Sequence, residues 1–403
     1  MDDAAQFHRR RVAGGVMTQF AIKGWCPGAL RPMRSGDGLV IRIRPHGGRL
    51  SRAQAAGIAD MAERYGNGLM DVTSRGNLQI RGVSDAGHAP LIAELARLDL
   101  GDADPGAEAL RNIVVTPFWI KGDDTAALVT ELELNLVARR LDLPEKFGFA
   151  VDCGAVRALT DTSADIRIER DATGGLIVRA DGAALGYSLA RSDAVRSALD
   201  LAAWFIASGG ATDGRGRMAA HLAAGAMLPI GLTGSAIPAP TSPPPRPGLL
   251  AGGALIGFTF GQLKAAALRD LAEAADGLRL TPWRMLFVEG LRAMPNSDDL
   301  ITEADDPILR VVACSGAPAC KEAHAETRAL AAELAAHIPA DSRLHVSGCA
   351  KGCAHPGPAP LTLVATADGF DLIRDGSARG VPVRRGLDRD QIVADPSLLG
   401  RAG

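Results

Sequence analysis

The sequence predicts an α+β protein in which one β-α-β-β unit is used twice, each copy followed by a further α+β segment. Three observations carry that expectation: an internal repeat, a proline-rich stretch between its copies, and four cysteines paired on two loops. Composition agrees with a packed globular chain. Of 403 residues, 47% are apolar and 22% charged, with a formal net charge of -2. That is not the profile of a disordered segment or of a nucleic-acid partner.

The first copy opens with Gly38-Leu39-Val40-Ile41-Arg42-Ile43-Arg44, rich in β-branched residues and read as a strand. Ser51 is placed to cap a helix whose apolar residues Ile58, Met61, Ala62 and Tyr65 share one face. Strands are predicted at 69–73 and 77–82, then a helix over 90–98. The second copy opens with Ala254-Leu255-Ile256-Gly257-Phe258-Thr259-Phe260 as a strand. A helix over 263–275 follows, with Leu268 and Leu271 on one face, then strands at 278–281 and 285–290. Thr73 to Gly82 and Thr281 to Gly290 both span nine steps, which puts Leu78 with Leu286 and Ile80 with Val288. A β-α-β-β order used twice predicts two ferredoxin-like half-modules related by a pseudo-two-fold axis. Between them, Pro238-Ala239-Pro240-Thr241-Ser242-Pro243-Pro244-Pro245-Arg246-Pro247 reads as a stiff, extended linker.

The expected organisation is a flexible extension over 1–22, a half-module over 23–105 and an α+β domain over 106–235. The linker at 236–248, a second half-module at 249–298 and a second α+β domain at 299–403 complete it. Arg9, Arg10 and Arg11 invite comparison with a twin-arginine signal, but the following stretch is too short and polar for its apolar region. Met17 is an alternative start. No apolar run approaches the roughly 20 residues of a membrane-crossing helix, so the expected location is the cytoplasm. Between Lys23 and Arg81, ten Lys/Arg face four Asp/Glu, an excess suited to a polyanionic ligand or to a solvated basic face.

Cys314 and Cys320 stand as C-x5-C after a predicted strand at 308–313, and a helix is predicted over 321–338. A strand at 343–347 then delivers Cys349 and Cys353 as C-x3-C, surrounded by Gly348, Gly352 and Pro356. Four thiolates on two loops can hold zinc or an iron–sulfur cluster. Structural zinc favours tighter hooks at both ends, and the five-residue gap leaves room for a larger centre. Cys26 and Cys153 lack partners at metal-ligand spacing and are expected to be packed or free thiols.

This cysteine pattern in a chain with a doubled half-module resembles the sulfite and nitrite reductase family, whose members hold a [4Fe–4S] cluster beside a sirohaem. Thr73-Ser74-Arg75-Gly76-Asn77-Leu78-Gln79 resembles the family's Thr-x-Arg-x-x-x-Gln stretch beside the tetrapyrrole. Arg111-Asn112 and Leu143-Pro144-Glu145-Lys146-Phe147 resemble two further motifs. The resemblance implies a reductase-like fold with two sirohaem-type α+β domains, a cluster on Cys314, Cys320, Cys349 and Cys353, and Arg42, Arg111 and Lys146 around the reacting centre. Where the reductases typically carry a second lysine after Lys-Phe, this chain has Gly148, which weakens the case for a small oxyanion substrate.

One branch of the family fits better, on Gly24-Trp25-Cys26-Pro27-Gly28, on Pro32-Met33-Arg34-Ser35-Gly36-Asp37-Gly38-Leu39, and on the residues from Ser347 to Pro356. Its enzymes act in aerobic cobalamin synthesis, where the tetrapyrrole precorrin-3A is the substrate and sirohaem is not the expected cofactor. The resemblance then implies a meso-carbon hydroxylation by dioxygen with lactone closure. Electrons would come from an external reductase or NAD(P)H-linked donor, and a mononuclear non-haem iron would serve dioxygen. Arg42, Arg44, Arg75, Asn77, Gln79, Arg81, Arg111 and Asn112 are the candidate contacts to the macrocycle and its carboxylates. No 2-His-1-carboxylate pattern is legible for the second iron; His46, His324, His345 and His355 lie near the motifs. The rival readings are a sirohaem-dependent sulfite or nitrite reductase and a non-catalytic protein braced by its metal.

Overall fold

A computed structural model describes residues 27–399. The expectations for the extension at 1–22, for Met17 and for Cys26 lie outside the described residues. The described residues divide into two compact units, one of residues 27–33 and 39–304, the other of 34–38 and 305–399.

In the larger unit both β-α-β-β copies form antiparallel sheets. The first orders its strands Gly38–Ile43, Leu78–Val83, Leu69–Val72 and then Gln262–Lys264, which belongs to the second copy. The second orders Gly248–Leu250, Gly253–Gly257, Met285–Glu289, Gly277–Leu280 and then Arg49–Leu50, which belongs to the first. Each copy thus lends a short edge strand to the other. Helix Arg52–Tyr65 starts at Ser51 in a capping box with Gln54, the Ser51 Oγ accepting from the Gln54 amide at 3.2 Å and the Ser51 amide donating to Gln54 Oε1 at 2.9 Å. It packs on helix Ala265–Ala274, and Ile58, Met61, Leu78, Ile80, Leu268, Leu271, Leu286 and Val288 share one buried core. The two half-modules are one folded body.

The predicted strand at 254–260 is shorter than expected. It runs Gly253–Gly257 and ends at a 3₁₀ turn, Thr259–Gly261, where Phe260 takes a positive φ of 56°. The helix after it begins at Ala265 because 262–264 is the exchanged strand. The helix predicted over 90–98 spans Asp85–Arg97, and Pro90 lies inside it. The predicted start was misplaced because proline is commonest in a first turn, whereas the cap is Ser84, whose Oγ accepts from the Gly87 amide.

Residues after the first half-module build a sheet of Ile113–Val115, Phe149–Asp152 and Ile166–Arg170 in parallel, continued antiparallel by Leu176–Ala180 and Tyr187–Ser188. Helices Asp124–Arg139 and Ala194–Ala207 supply its core with Leu128, Leu132, Leu199 and Phe205. The proline-rich linker is extended but not free-standing. Ala239 N donates to Arg170 O at 2.8 Å and Arg157 N to Pro240 O at 2.8 Å, so it is fastened along this domain.

The smaller unit repeats that sheet: Val311–Ala313, Leu344–Ser347 and Ala359–Thr366 run parallel, then Gly369–Gly376 and Arg384–Leu387 antiparallel. The predicted strand at 308–313 is a 3₁₀ turn, Pro307–Arg310, followed by a three-residue strand. The predicted helix over 321–338 is confined to Arg328–Leu334, with a 3₁₀ turn after it. Residues before it turn instead, because their backbone groups serve the cysteine loops. His324 N donates to Gly348 O at 2.8 Å and Ala317 N to Ala325 O at 3.0 Å. No helix among the described residues is long and apolar enough to cross a membrane.

Candidate functional site

The four-cysteine constellation follows from the parallel pairing of two strands. Val311–Ala313 and Leu344–Ser347 are neighbours, so the loops leaving their C-terminal ends emerge side by side, the usual place for a site in such sheets. Cys314 and Cys320 lie on the first loop, Cys349 and Cys353 on the second. Gly316 and Gly352 take φ of 62° and 65°, which glycine adopts without strain. The Gly348 amide donates to Cys314 Sγ at 3.2 Å, and Thr327 Oγ1 donates to the Cys314 carbonyl at 2.6 Å. The Cys349 thiol is pushed above its ordinary value, first by burial and then by Cys314 and Cys320; the Lys351 amide, hydrogen-bonded to it, opposes this. The Cys353 thiol is likewise pushed up by burial, and also by Cys349, Cys314 and Cys320.

Four mutually interacting thiols, with backbone amides aimed at two of the sulfurs, match what a cubane cluster needs. Among the described residues no three His, Cys, Asp or Glu side chains converge on one point as ligands of a single ion. A cubane carries its irons on separate corners and takes one thiolate at each. Four thiols on two neighbouring loops are a donor set of the kind a cluster takes. For a mononuclear iron, the described residues supply no fitting set. His345 is fully buried with its ring 5.8 Å from that of His355, His355 Nε2 lies 3.0 Å from Pro358 O, and His46 Nδ1 lies 2.7 Å from Glu133; His324 is exposed.

The candidate contacts in the larger unit fall into two groups. Arg42 and Gln79 face each other across two strands. With its oxygen toward Arg42, the Gln79 amide accepts from Nε at 3.2 Å and Nη2 at 3.0 Å. Asp71 and Gln262 extend the same row. Arg75 is half-buried, held by the turn in which Thr73 Oγ1 accepts from the Arg75 and Asn77 amides. Arg75 Nη1 donates to the carbonyl of Lys146, whose own side chain is exposed.

The other group is built into the framework. Arg111 is 4% exposed; its Nε and Nη2 donate to the two oxygens of Asp102 at 2.5 and 2.6 Å, and its Nη1 donates to Arg44 O at 2.9 Å. Arg44 is buried against Glu108 at 3.0 Å, and Glu108 also accepts from the Ala29 and Leu30 amides. Arg81 is buried with Asp71 at 3.7 Å. Asn77 and Asn112 are buried, and Asn112 Nδ2 donates to Phe147 O at 2.8 Å. Arg44, Arg81 and Arg111 are thus held in buried ion pairs, whose breaking costs about 3–5 kcal/mol, and Asn77 and Asn112 lie buried beside them.

Sequence reasoning missed Asp102, Glu108, Asp165 and Arg217, all of which order this region. Nothing in a single sequence distinguishes an acid that meets an arginine after folding from one that stays in solvent. Beside Glu108 lies a cavity of about 240 Å³ lined by Gly28, Arg31, Arg44 and Glu145. Cys153 is buried, and burial pushes its thiol up to about 12.

Comparison with known proteins places these features in a family. Residues 31–98 match the Nitrite/Sulfite reductase ferredoxin-like half domain. Precorrin-3B synthase of Sinorhizobium sp is 31% identical over 398 residues, covering 89% of this chain and 84% of that protein. Ferredoxin–nitrite reductase of Leptolyngbya laminosa is 28% identical over 163 residues, covering 38% of this chain and 29% of that protein. Among solved structures, the Mycobacterium tuberculosis NirA protein superposes with a TM-score of 0.61 at 16% identity, over 88% of this chain and 79% of that one. The last likeness establishes the fold: a nitrite/sulfite reductase architecture.

Proposed function

The chain belongs to the precorrin-3B synthase family, and from that premise we propose that it hydroxylates precorrin-3A with dioxygen and closes a lactone, as an oxidoreductase of cobalamin biosynthesis. One oxygen atom enters the macrocycle; the other leaves as water, with two electrons and two protons from an external donor. Position 148 is the observation that carries the choice over a sulfite or nitrite reductase. A Cβ on Gly148 would stand 2.8 Å from Asn112 Nδ2 and 3.0 Å from Asn112 O, so no second lysine fits beside Lys146. A large octacarboxylate can rely on dispersed cations, whereas a small oxyanion needs them converging.

Arg42, Arg75 and Lys146 bind and orient the carboxylate fringe, and Gln79 fixes the Arg42 guanidinium. Arg111, Arg44 and Asn112 hold the backbone beneath them. Cys314, Cys320, Cys349 and Cys353 would hold a [4Fe–4S] cluster. Such a cluster would supply single electrons, which dioxygen needs to react with a closed-shell macrocycle and which side chains cannot provide. Ligation requires the four thiols to lose their protons, and the Gly348 and Lys351 amides stabilise the resulting charge on sulfur.

The test is anaerobic incubation with precorrin-3A, followed by ¹⁸O-labelled dioxygen and a reductant. Mass detection should find a product carrying one labelled oxygen. Unconsumed precorrin-3A, or a purified protein with the visible bands of sirohaem that reduces nitrite, would defeat the proposal.

A further inference from the structure

Lys146 is an exposed side chain on a turn whose backbone is clamped at successive positions. Phe147 N donates to Pro144 O at 2.7 Å, closing the turn. Arg75 Nη1 donates to the Lys146 carbonyl at 3.3 Å and Asn112 Nδ2 to the Phe147 carbonyl at 2.8 Å. The next amide, Gly148 N, donates to Asp165 Oδ2 at 3.0 Å.

Asp165 is fully buried. Its Oδ1 accepts from Arg217 Nε at 2.8 Å and from Met218 N at 2.8 Å, and Arg217 Nη2 donates to Ala164 O at 3.1 Å. Its backbone amide also donates to Gly148 O at 2.7 Å. A buried carboxylate demands a compensating cation. Here the cation comes from residue 217, and the carboxylate's remaining lone pair fixes the residue two places after Lys146. With no side chain at Gly148 to wedge the turn, this bond and the backbone bond from Asp165 N together fix Gly148 on both its polar groups.

We propose that Asp165 and Arg217 are positioning residues for Lys146: the buried pair anchors the Gly148 amide and thereby sets where the Lys146 ammonium meets the substrate's carboxylates. The inference rests on the reading of Lys146 as a substrate contact. Neither residue touches the substrate. Both act through the turn, and loss of either lets the ammonium wander from its place, a displacement that costs affinity steeply.

The test is a double-mutant cycle on the full chain, with uroporphyrin III as an air-stable octacarboxylate probe and its dissociation constant read by fluorescence. Lys146→Ala, Asp165→Asn and Arg217→Gln should each weaken binding by about tenfold. Each double variant with Lys146→Ala should bind no worse than Lys146→Ala alone, and Arg217→Lys should restore binding. Arg217→Gln keeps the cycle readable if Asp165→Asn does not fold. Additive losses, about hundredfold in the doubles, would overturn the inference. So would wild-type affinity in Asp165→Asn and Arg217→Gln while Lys146→Ala binds weakly, an outcome that leaves the pocket reading standing. Wild-type affinity in Lys146→Ala itself would defeat the pocket reading.

Discussion

A side chain at position 148 has to displace Asn112, whose Nδ2 and carbonyl both lie within 3.0 Å of the place a Cβ would occupy. Asn112 cannot yield cheaply, because its amide holds Phe147 O and its carbonyl accepts from Phe149 N. Gly148→Lys is therefore expected to lower stability by about 1–3 kcal/mol in urea unfolding, and an unchanged midpoint would show that Asn112 yields to the new side chain. Cys153 allows a second check. Its thiol ionises near 9.0 when unfolded and is held up to about 12 by burial in the fold. Between those values the unfolded state binds fewer protons than the native one, so the Cys153 contribution to stability is present below pH 9 and falls as pH rises through that window. At pH 8 the native thiol should resist iodoacetamide, and mass mapping would find it modified only after denaturation. At this scale the sequence was only partly legible. Arg42, Arg75, Arg44, Arg81 and Arg111 look alike as letters. Asp102 and Glu108, which take two of them into the framework, become partners only once the chain has folded.

Edge-strand exchange makes each half-module incomplete by itself. A fragment covering 27–105 lacks the Gln262–Lys264 edge and the helix carrying Leu268 and Leu271, and so leaves Met61, Leu78 and their neighbours uncovered. That fragment is expected to be unfolded or oligomeric by circular dichroism and size-exclusion chromatography; a folded monomer would show that the exchange is dispensable. The main strands and helices could be read in advance, since Ile41, Ile43, Leu78 and Ile80 alternate and Ile58, Met61 and Ala62 share a helical face. Arg49–Leu50 and Gln262–Lys264 could not, because two or three residues carry no period. The helix expected from 321 failed for a related reason: its first turns serve the cysteine loops through bonds that lie outside any local pattern.

The same pairing relates positions of the first sheet to positions of the second, which bears on how many macrocycles the chain can hold. Arg42 opposite Gln79 corresponds to Leu255 opposite Phe287, and Asp71 beside Gln262 corresponds to Arg279 beside Arg49. The turn is also kept: Thr281 Oγ1 accepts from the Trp283 and Met285 amides just as Thr73 Oγ1 does from those of Arg75 and Asn77. Trp283 therefore stands where Arg75 stands. Cations that suit a carboxylate fringe in one copy are apolar residues in the other, and the second face is filled from the chain itself. Phe118 stacks on Trp283 at 5.9 Å and meets Phe287 edge-on at 6.0 Å. Arg279 lies 3.6 Å from the centre of the Trp119 ring, donates to Pro117 O and Trp119 O, and pairs with Glu289. Its charge is thus committed, and the loop from 116 to 122 closes the face. Duplication of the fold has left one cation-lined face and one aromatic plug. Equilibrium titration with uroporphyrin III should saturate at one molecule per chain, and Arg75→Ala should weaken that site, whereas Phe118→Ala should leave the stoichiometry at one. A second equivalent of comparable affinity in the unmodified protein would show that the plugged face binds as well, and would break the asymmetry on which the single-site reading depends.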